Sequence, residues 1–287
     1  MFVFVILHYQ AFKETVSEVE HIINELVGEK RIVIVDNASP NGSGVKLKKH
    51  FVNDDNIDVI LNDENSGYAK GNNLGIAYAL NRYNPNFIVL ANNDIGFRQN
   101  DFCDLVRQSF KKQKFDLLGP DILVPETGIH QNPKKTDEYT VSQVREINQH
   151  SKKLLKQNVV NFAIRSNLKK IVSLRKLVLK ARQNNTVLNN IEQDNVVLHG
   201  SLLIFSKQFF DKFDVPFDSG TFFYFETEIL DKKMRTKNML AKFDPHIVVY
   251  HHQNTSTRHS FKSATERQKF QLTNMIKSTQ RFIDLFG

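Results

Sequence analysis

The sequence predicts an α/β protein with a mostly parallel central sheet, and three features lead to that prediction. Residues 1–119 alternate short apolar runs with amphipathic stretches of helical period, which is typical of βα units. The apolar run at residues 88–91 ends in two amides and a carboxylate, at residues 92–94. An earlier run, residues 31–35, likewise ends in an acid, Asp36. Open α/β sheets bind ligands at the carboxyl ends of their strands, so both endings indicate a site for a polar ligand.

The spacing of apolar residues then predicts the elements of this first part in order. Short continuous apolar runs indicate buried parallel strands, and apolar residues three or four apart indicate helices that pack on the sheet. The first helix shows the second pattern, because its apolar residues from Val16 to Leu26 fall on one face. We expect strands at residues 2–7, 32–35, 57–61, 87–90 and 115–118, helices at 12–27, 68–82 and 101–112, and a turn at 41–44.

The pattern changes after Gly119. Three prolines and a glycine between residues 120 and 133 predict an irregular stretch, and a basic region of helical character follows to about residue 190. Strand-like runs return after residue 195. In this last part we expect strands at residues 196–198, 201–205 and 247–250, a helix with an acidic start at 221–237, and a terminal amphipathic helix at 266–286.

Composition narrows the class of protein. A length of 287 residues suffices for one large α/β domain with an appendage, and the single cysteine, Cys103, excludes internal disulfides and any cysteine-built metal cage. The apolar start, residues 1–7, is too short to span a bilayer and has no basic leader. These features predict a cytoplasmic protein.

The net charge of +8 comes from one segment. Residues 139–190 carry eleven Lys and Arg against a single acid, Glu146. Within it, residues 164–179 place apolar and basic side chains on separate arcs, which predicts an amphipathic basic helix. Two interpretations stay open: attachment to an anionic membrane, where each basic side chain contributes about 1 kcal/mol, or a solvated face packed on the core or on a second subunit. Nucleic acid is disfavoured, because aromatic residues are nearly absent there.

Three polar segments carry the candidate chemistry, and each has a plain structural alternative. Asp36, followed by Asn37, suits recognition of a base or a ribose, and equally suits a helix cap. Residues 65–75 place glycines and Lys70 near a helix start, which suits an anion or simply a glycine-softened helix terminus. Residues 92–94 suit a divalent cation with oxygen ligands or a polar turn.

Taken in chain order, these segments resemble the nucleotide-sugar half of a family-2 glycosyltransferase with the GT-A fold, and later segments agree. The third polar segment, residues 92–94, is similar to the family's D-x-D motif, with Asn92 in place of the first acid. Residues 119–122 and 131–133 further resemble bacterial members that build capsular or cell-wall polysaccharides. The matching motifs lie at residues 35–39, 65–76, 90–94, 198–201, 217–230 and 248–256.

The resemblance implies an inverting transfer of a hexosyl or deoxyhexosyl group from a UDP- or dTDP-sugar to a hydroxyl of a lipid-linked glycan, in bacterial surface polysaccharide synthesis. It implies a divalent cofactor, Mg²⁺ or Mn²⁺, held by Asp94 and His251, with the adjacent His252 as the alternative histidine. Contacts to the nucleotide sugar are expected from Asp36, Asn37, Asn65, Gly67, Lys70, Asn73 and Asn93.

The catalytic base departs from the family pattern. The family's paired acids appear here as Glu226 followed by Thr227, with Glu228 one residue later. Thr227 cannot replace an acid as a base, so we expect Glu226 or Glu228 to serve, and we prefer Glu226. The acid that does not serve would favour the helix start through the helix dipole.

These expectations divide the chain into a nucleotide-sugar half at 1–138, a basic helical insertion at 139–190, an acceptor and catalytic half at 191–257 and a C-terminal amphipathic helix at 258–287. Peripheral contact with the inner face of the cell membrane and a homodimer are further expectations. A non-catalytic glycan- or membrane-binding relative stays open, because Asn92 and Thr227 replace acids. A sugar nucleotidyltransferase is disfavoured, because no Gly-rich, basic N-terminal loop that would activate a nucleoside triphosphate is present.

Overall fold

The computed structural model describes residues 1–156, 189–252, 261 and 263–287, and these build a ten-stranded sheet with helices on both faces. The basic helix expected at 164–179 lies outside the described residues, so it stays a prediction. The strands are β1 (Phe2–His8), β2 (Lys30–Asp36), β3 (Ile57–Leu61), β4 (Phe87–Asn92), β5 (Ile95–Phe97), β6 (Leu117–Val124), β7 (Ile129–His130), β8 (Gln193–Asp194), β9 (Leu202–Ser206) and β10 (Ala241–His251).

The sheet runs β3-β2-β1-β4-β9-β6-β10-β5, with β7 beside β6 and β8 beside β10. Strands β1 to β4 pair in parallel, as do β6 and β10, whereas β9 is antiparallel to both β4 and β6. Strands β1 to β4, β6 and β10 therefore all point in one direction. Their carboxyl ends share one rim of the sheet, where ligand sites of open α/β sheets lie. The predicted mostly parallel α/β architecture is confirmed.

Two hydrophobic cores cover the faces of this sheet. One packs Val19, Ile22 and Phe102 against β1 and β4, and the other packs Ile76 and Leu230 against the opposite face. A smaller third core joins the helix at the start of residues 139–190, the terminal helix and the start of the helix at Glu226. The helices are α1 (Phe12–Glu25), α2 (Ser43–His50), α3 (Gly67–Tyr83), α4 (Phe102–Lys112), α5 (Val141–Leu155), α6 (Lys207–Phe210), α7 (Glu226–Thr236) and α8 (Ala264–Phe286).

Some predicted boundaries are wrong for identifiable reasons. Strand β6 continues through Pro120, where we expected irregular chain, because it stays paired with β10 from Leu117 to Leu123. The strand expected at 196–198 is a single bridge, from Val197 to Lys135. Helix α7 begins at Glu226 rather than residue 221, after residues with left-handed backbone. Among the described helices, none is both long and apolar enough to cross a membrane.

Candidate functional site

The polar strand endings meet at one rim, as the parallel sheet requires. In register, His8 of β1 pairs with Asp36 of β2, and Leu7 pairs with Asn92 of β4. At the other end of the sheet, His251 closes β10 opposite Ile95 of β5. The sheet thus brings the ends of β1, β2 and β4 side by side, and the link between β4 and β5 carries Asp94 toward His251.

Asp36 lies at the end of β2, with polar groups close to its carboxylate. Its Oδ2 accepts a hydrogen bond from the Ser39 N–H (3.3 Å), while Oδ1 is buried and meets no donor among the described residues. His8 lies behind it, with Nε2 3.8 Å from Oδ1. Burial lowers the pKa of His8 to about 4, against the opposing charge of Asp36, so this imidazole is neutral at pH 7. The predicted contact of Asp36 with a base or ribose donor stays a prediction.

Helix α2 approaches Asp36 so closely that only glycine fits at position 44. A Cβ on Gly44 would overlap the Asp36 carboxylate. We therefore expect Gly44→Ala to displace Asp36 and to lower the free energy of unfolding by about 1–3 kcal/mol, as overpacking does. Urea unfolding measures this loss, and Gly42→Ala, whose Cβ meets nothing within 4 Å but whose φ is +71°, is the control for backbone strain alone. Equal stability of Gly44→Ala and the wild type would contradict the close approach.

Asn37 and Asn65 shape the loop before α3. The Asn37 amide donates to Asn65 Oδ1 (3.0 Å) and to the Gly67 carbonyl (3.1 Å), and its oxygen accepts from Ser66 and Asn62. Their predicted contacts with the nucleotide would require some of these hydrogen bonds to be exchanged. The loop geometry is therefore the role that the structure shows for both amides.

Gly67 lets this loop contact the second half of the chain. Its φ is +78°, and a Cβ there would overlap the Phe222 carbonyl oxygen. The same oxygen accepts a hydrogen bond from the Tyr68 N–H (2.8 Å). Glycine at this position therefore serves the close approach of two chain segments, a use that was not expected from the sequence.

Helix α3 carries two further residues that were predicted to contact the nucleotide sugar, one exposed and one buried. Lys70 is exposed in its first turn, where its charge is free to meet an anion together with the helix N-terminus. Asn73 is buried, and its side chain both donates to the Phe217 carbonyl (2.8 Å) and accepts from the Phe217 N–H (3.1 Å). Asn73 thus anchors the chain segment around Phe217, and its predicted contact with the nucleotide stays a prediction.

Asp94 and His251 face each other across the rim. His251 Nε2 lies 3.2 Å from Asp94 Oδ1, and His251 Nδ1 lies 2.7 Å from Gln131 Oε1. With Nδ1 donating to Gln131, Nε2 presents its lone pair to Asp94. Asp94 Oδ1 is buried and has no hydrogen-bond partner within the described ranges. Two lone pairs directed at one point, with a second partner that orients the imidazole, fit a divalent cation.

The neighbouring His252 points elsewhere, as strand alternation requires. Its side chain is 53% exposed, with Nδ1 3.7 Å from Glu126. Asn93 is also turned away from the rim, because its Nδ2 donates to Thr15 Oγ1 at 3.0 Å. Of the two candidate histidines, the structure brings His251 to Asp94.

The two candidate acids at the start of α7 have different surroundings. Glu228, 3% exposed, is paired with Lys134 Nζ at 2.5 Å and accepts from the Thr227 hydroxyl at 3.1 Å. Glu226, 6% exposed, leaves Oε1 without a partner in the described part of the chain. Burial raises the pKa of Glu226 to about 8, and the charge of Glu228 adds to the rise while Lys134 opposes it.

His199 lies beside His251, and the charge of Lys134, the partner of Glu228, also acts on it. Its ring centroid lies 6.0 Å from that of His251, and burial, Lys134 and His251 together lower its pKa to about 3. The next residue, Gly200, accepts a hydrogen bond from the Tyr68 hydroxyl at 2.5 Å. The site therefore includes a neutral imidazole next to His251.

Sequence reasoning missed Lys134. Lys134 follows a motif that we noted, but nothing in its neighbours indicates a partner 94 residues away in Glu228.

A second acidic group lies away from this rim. Glu192, Asp244 and His246 place their ligand atoms within 4.8 Å of one another. Two lysines already neutralise Glu192, with Lys112 Nζ at 2.6 Å and the fully buried Lys242 Nζ at 3.1 Å. This group therefore fits a structural ion-pair network better than a cation site.

Known proteins resemble this chain in sequence and in fold. The hexosyltransferase Agl10 of Haloferax volcanii, named for low-salt glycan biosynthesis, is 30% identical over 127 residues, which is 44% of this chain and 38% of that protein. The S. aureus TarS 1-349 structure with UDP-GlcNAc superposes with a TM-score of 0.57 at 13% identity, over 99% of this chain and 65% of that one. The chain thus spans less than two thirds of both.

A mannosyltransferase from Pyrobaculum calidifontis, PcManGT in complex with GDP-Man and Mn²⁺, has a TM-score of 0.54 at 10% identity, over 99% of this chain and 70% of that one. At these identities the solved structures show the fold, and they confirm the predicted GT-A architecture. The sequence model described as "Glycosyl transferase family 2" matches residues 4–234. Because that match covers most of the chain, the protein belongs to glycosyl transferase family 2, as its motifs predicted.

Proposed function

We propose that this protein transfers a hexosyl or deoxyhexosyl group, with inversion, from a UDP- or dTDP-sugar to a hydroxyl of a glycan acceptor. The observations that carry the proposal are the Asp94–His251 pair and the buried acid Glu226, whose Oε1 has no hydrogen-bond partner among the described residues. The first group suits a diphosphate with its cation, and the second suits a base. The complexes of TarS with UDP-GlcNAc and of PcManGT with GDP-Man support a nucleotide-sugar donor.

In this mechanism Glu226 takes the proton of the acceptor hydroxyl. The acceptor oxygen then forms a bond to the anomeric carbon, while the bond from that carbon to the diphosphate breaks on the opposite face. A Mg²⁺ or Mn²⁺ ion held by Asp94 and His251 would offset the charge that develops on the departing nucleoside diphosphate. Asp36 accepts from the nucleoside, and the exposed Lys70 meets the diphosphate.

Glu226 supports the role of base better than Glu228 does. Glu228 is already paired with Lys134, so taking a proton would cost it that ion pair. Glu226 has a free oxygen, and its raised pKa makes it a stronger proton acceptor once it is ionised. Lys134, by neutralising Glu228, also keeps the two acids from repelling each other at full strength.

The acceptor is proposed as a lipid-linked glycan in bacterial surface polysaccharide synthesis. Support comes from the motifs near residues 119–133 and from the glycan-biosynthesis name of the Agl10 relative. Peripheral membrane contact through residues 139–190 follows from charge alone, and a homodimer follows from the alternative interpretation of the same segment.

A screen of nucleotide sugars by thermal shift tests the donor. We expect a UDP- or dTDP-sugar with Mn²⁺ to raise the melting temperature by several degrees, since a ligand at about 100 times its Kd adds about 2.7 kcal/mol. Asp36→Asn, which keeps the shape of the side chain and removes its charge, should weaken this shift. Measuring release of the nucleoside diphosphate then distinguishes a transferase, which releases it, from a relative that only binds glycans. No shift with any nucleotide sugar would refute the proposal.

A further inference from the structure

The segment at residues 131–133 has no chemical role in the reaction proposed above, yet its first side chain contacts a candidate cation ligand. Gln131 Oε1 lies 2.7 Å from Nδ1 of His251, and Nε2 of the same ring lies 3.2 Å from Asp94 Oδ1. An amide oxygen only accepts hydrogen bonds, so Nδ1 carries the proton in this arrangement and Nε2 has a free lone pair. Gln131 therefore determines which nitrogen of His251 is free.

A second arrangement of the His251 ring competes with this one. The imidazole could instead carry its proton on Nε2 and donate it to Asp94, and hydrogen bonds to a carboxylate are stronger than those to an amide. The structure does not show that arrangement, because Asp94 Oδ1 is buried and accepts no hydrogen bond from a described residue, although Nε2 is only 3.2 Å away. The acceptor at Nδ1 that keeps the proton away from Nε2 is Gln131.

The chain around Gln131 is anchored, so the fold directs its side chain. The N–H of Gln131 donates to a carbonyl of β6 at 2.8 Å. Asn132, which is fully buried, donates to another β6 carbonyl at 2.8 Å and accepts from the His199 N–H at 2.7 Å. Because β6 pairs with β10, these hydrogen bonds hold Gln131 beside the strand that ends in His251.

The neighbouring His199 has the opposite tautomer and provides an internal reference. The Ser201 N–H donates to His199 Nδ1 at 3.2 Å, so Nδ1 has the lone pair and the proton of the neutral ring is on Nε2. The two ring centroids, of His199 and His251, lie 6.0 Å apart. Each imidazole thus has its own partner at Nδ1, an acceptor for His251 and a donor for His199, and these partners can be changed separately.

We propose that Gln131 is a positioning residue, which selects the tautomer of His251 that can bind a divalent cation. This inference rests on the function proposed above. A cation of the Mg²⁺ or Mn²⁺ class needs the Nε2 lone pair beside the Asp94 carboxylate, whereas a proton on Nε2 would block that position. Gln131 acts on the cation only through His251, so cation affinity depends on an amide that is not itself a ligand.

Imidazole ¹⁵N chemical shifts test the tautomer directly, because they distinguish a protonated ring nitrogen from one with a free lone pair. In the metal-free full chain at about pH 8.5, where free imidazole is neutral, we expect His251 to carry its proton on Nδ1 in the wild type. In Gln131→Leu, which has no acceptor, the proton should move to Nε2, and Gln131→Glu should return it to Nδ1. His199 should keep its proton on Nε2 throughout, and the spectrum of His251→Ala identifies the His251 signals.

Titration with Mn²⁺, alone and with UDP, measures the consequence for the cation. Gln131→Leu should bind Mn²⁺ at least about tenfold more weakly than the wild type, as loss of the partner of a metal-bound histidine does. Gln131→Glu restores an acceptor at Nδ1 and should recover most of that loss. Gln108→Leu, at an exposed glutamine of α4, is the matched control and should bind Mn²⁺ as the wild type does.

The outcomes distinguish the inference from the function on which it rests. If Gln131→Leu keeps the proton of His251 on Nδ1, or binds Mn²⁺ within about twofold of the wild type, the inference is overturned and the transfer reaction stands. If Gln131→Leu does not fold, the other spectra decide: a proton on Nε2 in the wild type overturns the inference, and a proton on Nδ1 in both the wild type and Gln131→Glu supports it. If the wild type binds no Mn²⁺ with or without UDP, the role of Gln131 in cation binding is overturned too, and the nucleotide-sugar screen then judges the transfer reaction alone.

Discussion

Glu226→Gln is expected to lower kcat for sugar transfer by about 10²- to 10⁴-fold while leaving the affinity for the donor within a few-fold of the wild type. A positioned base contributes that much to a proton transfer, and Gln cannot accept a proton in its place. The fold should persist, because Glu226 Oε1 has no hydrogen-bond partner among the described residues for the substitution to break. Release of the nucleoside diphosphate in the presence of acceptor measures kcat.

The matched control is Glu228→Gln. This substitution leaves Lys134 without its 2.5 Å partner, so it should destabilise the protein, yet it retains the free carboxylate of Glu226. We expect a smaller loss of kcat than in Glu226→Gln. If Glu226→Gln turns over at the wild-type rate while Glu228→Gln does not, the base has been assigned to the wrong acid.

The pH dependence provides a second measure of the same residue. Because burial raises the pKa of Glu226 to about 8, kcat/KM should rise with pH through that value as the base ionises, and this rise should be absent from any residual activity of Glu226→Gln. Stability should follow the opposite direction. A carboxyl whose pKa is raised by folding stabilises the protein fully below pH 4.5, and this contribution is lost as pH rises toward 8, by up to about 1.4 kcal/mol per pH unit.

Asp94→Asn is expected to reduce kcat/KM by about 10²- to 10³-fold and to abolish its dependence on Mn²⁺. The amide keeps the shape of the side chain but removes the charge that, with His251 Nε2 at 3.2 Å, defines the cation site. Activity as a function of Mn²⁺ concentration is the measurement. Asp55→Asn, at an exposed turn, is the control and should behave as the wild type.

His251→Ala should resemble Asp94→Asn, and His252→Ala should not, because the His252 side chain is turned toward solvent and Glu126. Unchanged Mn²⁺ dependence in both Asp94→Asn and His251→Ala would show that the cation does not bind at this rim. The protein would then have to stabilise the leaving diphosphate through Lys70 and the start of α3, and Lys70→Ala would become the more damaging substitution.

Much of the site could be predicted because its residues follow strands. Asp36, Asp94 and His251 lie at the carboxyl ends of apolar runs, and parallel pairing brings such ends to one rim whatever the loops do. The amides of Asn37, Asn65 and Asn73 show the limit of this reasoning. A sequence motif cannot distinguish an amide directed at a ligand from one that holds a loop, and here all three have partners within the protein.

The sequence by itself determined the α/β class, the order of most strands and helices and the family, and it supplied the two acids that we predict to include the base. Those features depend on local periodicity and on motifs of consecutive residues. The tertiary structure decided which acid is unpaired and which histidine meets Asp94. Each of these depends on contacts between residues far apart in the chain. Burial strengthens the charge interactions in those contacts, because the protein interior has a lower dielectric constant than water.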